Sequence, residues 1–256
     1  MDRFGKGILL AAGLGCAIAL GHARAGGLVE LAFDLDDFSA PLTIDNRFWP
    51  LVPGRRVVYF EVSDDECIVN DVVVTDQVKD DFGGDYTGLT ARVVADAEWL
   101  DEDCDGGRDV LLEDTFDWYA QDDAGNVWYF GEDTTEFLYD DDGNPIGSTT
   151  EGSWEAGVDG AIAGLIMLAN PGPGLFYRQE FYEDVAEDAA KIIGIGRRVS
   201  TGLGDFSGCI VTKEWSPLSP GTIEHKHYCP DVGLVLIDEF GGGKPVAVEA
   251  VDLGLP

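Results

Sequence analysis

Val110-Leu111-Leu112-Glu113-Asp114-Thr115-Phe116-Asp117-Trp118-Tyr119 runs into Asp122-Asp123-Ala124-Gly125 and returns through Asn126-Val127-Trp128-Tyr129-Phe130-Gly131. Two runs rich in β-branched and aromatic residues on either side of an Asp/Gly turn read as a hairpin. Within it, Thr115-Phe116-Asp117-Trp118 alternates polar and apolar residues, and Val127-Trp128-Tyr129-Phe130 continues the pattern. Successive side chains of a strand point to opposite faces, so such a hairpin has one buried and one wet face.

The same signature extends in both directions. Arg55 to Val62 and Cys67 to Thr75 flank the turn at 63–66. Thr87 to Leu100 predicts a long strand ending at the acidic turn Asp101 to Gly107. Glu136 to Tyr139 and Ile146 to Thr150 flank Asp140-Asp141-Asp142-Gly143-Asn144, and strands resume at Gly196 to Ser200, Cys209 to Trp215, Thr222 to Cys229 and Leu234 to Phe240. Gly157 to Gly174 breaks the pattern: it is apolar and rich in Gly and Pro, which predicts a loop with a short helix lying on the sheet. Glu183 to Ile192 predicts one or two helical turns. The expected fold is all-β, a curved antiparallel sheet or half-open barrel with a Gly/Pro-rich loop-helix segment on one face. No fixed-period repeat suggests a propeller or solenoid.

Arg3 and Lys6 precede an apolar run from Ile8 to Leu20, and Ala23-Arg24-Ala25 is a small-x-small cleavage site. Residues 1–25 therefore read as a signal peptide cut after Ala25, which places the mature chain in a periplasm or outside the cell. A lipoprotein reading at Cys16 fits less well, because Gly13 stands three residues before it and apolar sequence continues past it. No later segment is long and apolar enough to be a transmembrane helix. Residues 26–40 are expected to be a flexible N-terminal segment, 41–240 a single β domain and 241–256 a C-terminal tail.

Asp and Glu outnumber Lys and Arg by 49 to 16, a formal charge of −33. Removing residues 1–25 takes away Arg3, Lys6 and Arg24 but only Asp2, so the remainder is more acidic still. Such a field argues against nucleic acid and anionic lipid as partners and for cations. Lysine scarcity fits an acidic surface adapted to salt equally well.

The mature chain has four cysteines: Cys67, Cys104, Cys209 and Cys229. If 209–215 and 222–229 pair through the turn at 216–221, Cys209 faces Cys229. In an up-and-down meander the turns at 63–66 and 101–107 share one end of the sheet, which brings Cys67 to Cys104. Two disulfides fit better than a metal site, since the spacing lacks the closeness of a zinc cluster.

Asp101-Glu102-Asp103-Cys104-Asp105-Gly106 has the Asp-x-Asp-x-Asp-Gly order of a calcium loop. Alternate carboxylates and a Gly at the bend gather the oxygens that calcium needs. Asp109 stands at the ninth position, but Leu112 occupies the twelfth and Glu113 comes one residue late. The flanks read as strands, so an EF-hand is not expected, and calcium at Asp101, Asp103, Asp105, Asp109 and Glu113 competes with a solvated acidic turn. A second candidate is Glu224-His225-Lys226-His227-Tyr228-Cys229, where His225 and His227 share a strand face in the manner of a chelating pair for zinc, copper or iron. They are the only histidines left after residues 1–25, so any site there must recruit carboxylates.

Asp117-Trp118-Tyr119-Ala120-Gln121-Asp122 followed by Gly125-Asn126-Val127-Trp128-Tyr129-Phe130-Gly131-Glu132 resembles a segment of uncharacterised secreted bacterial β-sheet proteins, as does Gly152-Ser153-Trp154-Glu155-Ala156-Gly157. Tyr228-Cys229-Pro230-Asp231-Val232-Gly233-Leu234-Val235 is similar to a Tyr-Ala-Pro-Gly-Val-Gly-Leu-Val hairpin of exported β proteins, with Cys for Ala and Asp for Gly. The resemblance spans roughly residues 40–240 and implies a curved antiparallel sheet like the lipoprotein-carrier (LolA-like) half-barrels. It implies no activity.

No Gly-x-Ser-x-Gly elbow, Walker sequence or complete nucleotide fingerprint is present. Acid pairs suited to a carboxylate- or metal-dependent hydrolase are too numerous to single one out. The sequence thus points to a secreted non-catalytic binding protein. Capture of divalent cations, calcium above all, is the first reading; a carrier for an apolar ligand or lipid is the second, with Trp99, Trp118, Trp128 and Trp154 as groove or core residues.

Overall fold

The computed structural model describes residues 27–63, 66–240 and 246–255. The signal-peptide reading and Cys16 lie outside them. Strands β1 (Arg56–Val62), β2 (Cys67–Lys79), β3 (Ala91–Asp101), β4 (Val110–Gln121) and β5 (Val127–Tyr139) form the expected up-and-down meander. Three short strands then pair with β5 along its length: β6 (Pro145–Thr149), β7 (Trp154–Glu155) and β8 (Ile162–Met167). After β9 (Phe176–Arg178) and β10 (Glu180–Phe181) comes a second meander of β11 (Ala189–Thr201), β12 (Gly204–Trp215), β13 (Ile223–Cys229), β14 (Gly233–Phe240) and β15 (Val246–Gly254). All ladders are antiparallel, and the strands make one sheet.

The sheet curls into a nearly closed barrel. Strand β15 closes one side, since it pairs with both β1 and β14. The other side is an unsealed seam. There β9 pairs with β11 and β10 pairs with β8, and the single residue Gln179 links β9 to β10. The chain itself therefore crosses between the two edges. It needs room to do so: a Cβ on Gly164 of β8 would stand 2.2 Å from the Gln179 carbonyl oxygen.

Several segments differ from their expected state. The apolar 157–174 stretch supplies β8 instead of a helix, because β5 offers it an open edge. Residues 189–192 extend β11 instead of turning helically. Residues 246–254, expected as a tail, form the closing strand. The 26–40 segment is not loose where it is described: Val29 bonds the Phe176 carbonyl at 2.7 Å, and Phe33 and Phe38 pack on the sheet. In each case a tertiary partner decides a segment whose local preference is weak.

Both disulfides join the expected partners, Cys67 to Cys104 and Cys209 to Cys229. Ile210 pairs with Tyr228 and Val211 with His227, the register predicted for the β12–β13 hairpin. Cys67 lies opposite Asp101 on the β2–β3 ladder, so the two turns share one end of the barrel. Two disulfides fit a location outside the reducing cytoplasm.

A bulge in β5 fixes which residues face inward. Asp117 pairs with Glu132 and Tyr119 with Tyr129, so Trp118 alone stands opposite Phe130 and Gly131. Gly131 adopts φ 125°, and a Cβ there would lie 2.1 Å from the Trp154 carbonyl oxygen. The bulge keeps Asp117, Tyr119, Tyr129 and Glu132 on one face. Trp118, Trp128 and Phe130 go to the other, where Phe33, Phe38, Phe82 and Tyr86 cover them.

Candidate functional site

The inner face of the barrel is built by alternation. On β3, Val94, Asp96 and Glu98 stand opposite Asp117, Thr115 and Glu113 of β4. These in turn oppose Glu132, Thr134 and Glu136 of β5. On the other side Val72 and Asn70 of β2 face Val57 and Tyr59 of β1, and Lys226 and Glu224 of β13 face Ile237 and Glu239 of β14. Together these faces enclose a cavity of about 470 Å³ that reaches solvent.

The cavity changes chemistry along its length. Where β1 begins, the segment before it places Trp49, Pro50 and Leu51 across the barrel end, with Tyr119, Tyr228, Val57, Val72 and Leu234 beside them. Trp49 packs on Tyr119 and Tyr228 with ring centroids 5.7 and 5.6 Å apart. Its indole Nε1 is buried without a hydrogen-bond partner among the described residues. Toward the end where β1 meets the Cys67 corner, the lining turns to Asp96, Glu98, Glu61, Glu224 and Glu239. The floor is aromatic and aliphatic; the upper wall is carboxylate.

The two cations in the lining are already engaged. Arg55 donates to the backbone carbonyls of Asp231 and Val232. Lys226 pairs with Glu214 at 3.2 Å and Glu224 at 3.0 Å. Glu214 is nearly inaccessible and also accepts from Thr212, Tyr228 and Gln179 at 2.6, 2.9 and 3.0 Å. Burial alone would raise its pKa, but Lys226 and these hydrogen bonds outweigh it and hold the carboxyl below its usual value. This network ties Gln179, and with it the seam, to β12 and β13.

The remaining lumen acids have no such partner. Among the described residues, no Lys, Arg or His lies within salt-bridge distance of Asp96, Glu98, Asp117, Glu132 or Glu180. Asp117 is only 8% exposed. It accepts one hydrogen bond, 2.6 Å from the Tyr129 hydroxyl, and that hydroxyl also lies 2.9 Å from Glu132. Asp96 accepts from the Asn70 amide at 2.5 Å. Burial raises the pKa of Asp96 to about 6, with Glu113 and Asp71 adding to it. Burial and the neighbouring Glu113 and Asp96 carry Glu98 to about 7. Glu132 and Glu180 reach about 8, by burial and then by charge repulsion from Glu180 on the first and Asp188 on the second. Asp117 is pushed well up by the same causes, burial first and Asp96 and Glu132 next.

Of the predicted calcium residues, Asp101, Asp103 and Asp109 come together, with candidate ligand atoms within 4.8 Å of one another. Asp105 and Glu113 do not join them; Glu113 lies on β4 opposite Glu98 and Glu136. Asp101 accepts from the Asp105 and Gly106 amides at 3.2 and 2.7 Å, and Asp109 from the Glu102 amide at 2.9 Å. These bonds brace the turn with carboxylates alone. The Asp140 turn is braced likewise by the Asp142 and Asn144 amides. His225 and His227 share the outer face of β13. His225 packs on Phe240, and His227 Nε2 lies 3.0 Å from Asp238. Among the described residues no three-ligand group forms there.

Reading the sequence missed the lumen acids, although the signal was present. Asp117 and Glu132 alternate with Trp118 and Phe130, and alternation separates a buried from a wet face without saying which one lines a lumen. The wet face of this hairpin is the inside of the barrel.

No protein-family model and no curated protein matches the chain. Among solved structures, one from Parabacteroides distasonis, a "putative lipoprotein", is similar over 82% of this chain and 99% of its own, at 12% identity and a TM-score of 0.43. Among the described residues no helix is long and apolar enough to cross a membrane.

Proposed function

We propose that this chain is an exported binding protein that takes a small ligand into its barrel lumen and does not transform it. One observation carries the reading: a single cavity of about 470 Å³ joins an apolar floor to a polar wall inside a covalently stapled barrel. Ligand sites are concave, largely apolar and furnished with a few converging polar groups, and this volume suits a small organic molecule. No geometry among the described residues singles out one pair of the lumen acids as acid and base, and His225 and His227 sit on the outer face.

The test is occupancy of the lumen. The neutral dye Nile red should brighten on binding, and Val72→Trp, which fills the cavity from β2, should weaken that binding at least about tenfold. Ile166→Trp fills it from β8 and guards against a folding artefact of the first variant. Equal dye binding by the parent and both variants places the dye outside and removes the reading.

A further inference from the structure

We propose that the ligand of this lumen is an amphiphilic organic cation, an alkyl chain bearing an ammonium head, seated with its chain on the Trp49–Tyr119–Tyr228 floor and its head among Asp96, Glu98 and Asp117. This rests on the lumen-binding reading and adds the chemistry of the occupant.

Three independent features lead there. The first is shape: the apolar and acidic lining residues belong to one continuous cavity, so a ligand that fills it spans both. The second is the charge census. The lining holds six carboxylates, Glu61, Asp96, Glu98, Asp117, Glu224 and Glu239, against Arg55 and Lys226. Arg55 is spent on backbone carbonyls and Lys226 on Glu214 and Glu224. The third is an unpaired carboxyl: Asp117, more than nine-tenths buried, lines the cavity and accepts a hydrogen bond from the Tyr129 hydroxyl, with no cationic side chain in reach among the described residues. Buried carboxylates are ordinarily paired with a cation or satisfied by hydrogen bonds, and the penalty for leaving one unpaired is large. A cationic head supplies the missing partner; an anionic head placed among Asp96, Glu98 and Asp117 has no cation of its own to meet.

The unpaired acids support the same conclusion through their protons. Held near 6 and 7, Asp96 and Glu98 keep a share of protons that a bound cation would displace. An alkylammonium also suits this lumen better than a bare metal ion, which would leave the aromatic floor unused. A metal ion needs a compact shell of oxygens, and among the described residues the one compact group lies at Asp101, outside the cavity.

The experiment compares three probes of equal chain length and fixed charge by calorimetry at neutral pH: octyltrimethylammonium, octanol and octanesulfonate. The expected result is that the cation binds about tenfold or more tighter than octanol, that the sulfonate binds weakest, and that Val72→Trp abolishes cation binding. Asp96→Asn with Glu98→Gln should weaken the cation about tenfold and leave octanol unchanged. Octanol or octanesulfonate binding as tightly as the cation overturns the cation assignment but leaves the lumen reading intact. Cation binding retained in the Asp96/Glu98 double variant overturns it too. Cation binding retained in Val72→Trp, or no binding by any probe, overturns both.

Discussion

The two faces of the β3–β5 sheet differ in almost every respect although they share a backbone. On the outer face Trp118, Trp128 and Phe130 meet Phe33, Phe38, Phe82 and Tyr86 in a dry aromatic shelf, ring against ring at 5.3–6.4 Å among the pairs Phe33–Phe38, Phe82–Phe130 and Trp128–Phe130. On the inner face Asp96, Glu98 and Asp117 look into a cavity. The shelf is satisfied by what the chain itself provides. The lumen is not: Asp96, Glu98 and Asp117 have no cationic partner among the described residues. Packing is therefore densest on the outer face of this part of the barrel wall and the cavity lies inside it, the reverse of a small filled barrel.

The largest expected effect breaks the shelf. Phe130 is fully buried, and Phe130→Ala should cost about 3–5 kcal/mol in urea unfolding. A loss near that of an exposed site would mean that the shelf does not hold the fold. Next is Lys226→Met, which leaves Glu214 buried without its counter-ion; the expected loss is about 2–4 kcal/mol at neutral pH, discounted for water in the lumen. A Glu214→Gln/Lys226→Met pair should recover much of that loss.

A smaller effect carries the opposite sign. Glu132→Gln removes a carboxyl whose pKa burial and Glu180 hold near 8, and should stabilise by about 1–3 kcal/mol at pH 8 and by almost nothing at pH 4. The wild-type chain should show the same trend. Asp96, Glu98, Glu132 and Glu180 bind protons more tightly folded than unfolded, so their contribution is full below pH about 4 and is lost as pH rises toward about 8. Other buried acids work alongside: Glu61 of β1, Asp117 of β4, Asp188 just before β11, and Glu239 of β14 are all raised, by burial first. Glu214 opposes them, since its lowered pKa gives stability that is lost in acid. Urea midpoints that do not fall between pH 5 and pH 8 would show that the lumen acids are as hydrated as surface ones.

The smallest effect lies at the Asp101 corner. Asp103 is fully exposed, and the like charges of Asp105, then Asp101 and Asp109, raise its pKa. Asp103→Asn should leave the melting temperature nearly unchanged. If the corner binds calcium, the parent gains melting temperature in submillimolar calcium and this variant does not.

Much of the fold was legible. The strands from 55 to 131, the β12–β13 register and both disulfides follow from alternation, turn residues and cysteine positions. The closing strand was not legible, because Val246 to Gly254 follows a Gly-rich stretch and has no local signal that β1 and β14 leave edges to fill. Nor was β8, whose apolar Gly-rich sequence suits several states until β5 selects one. The candidate site was legible only as an excess of acid. Asp clusters are conspicuous at turns, whereas Asp96 and Glu98 lie singly along β3, where nothing local distinguishes them from solvent-facing acids.

By itself the sequence determined the alternation, the turns and the covalent staples, since these depend on residues near one another in the chain or on a register that one turn fixes. Which face became the inside was decided only in three dimensions. A period of two separates two sets of side chains and gives neither a direction; the curl of the sheet, its closure by β15 and the covering of the aromatic shelf by residues 33–38 and 82–86 chose between them.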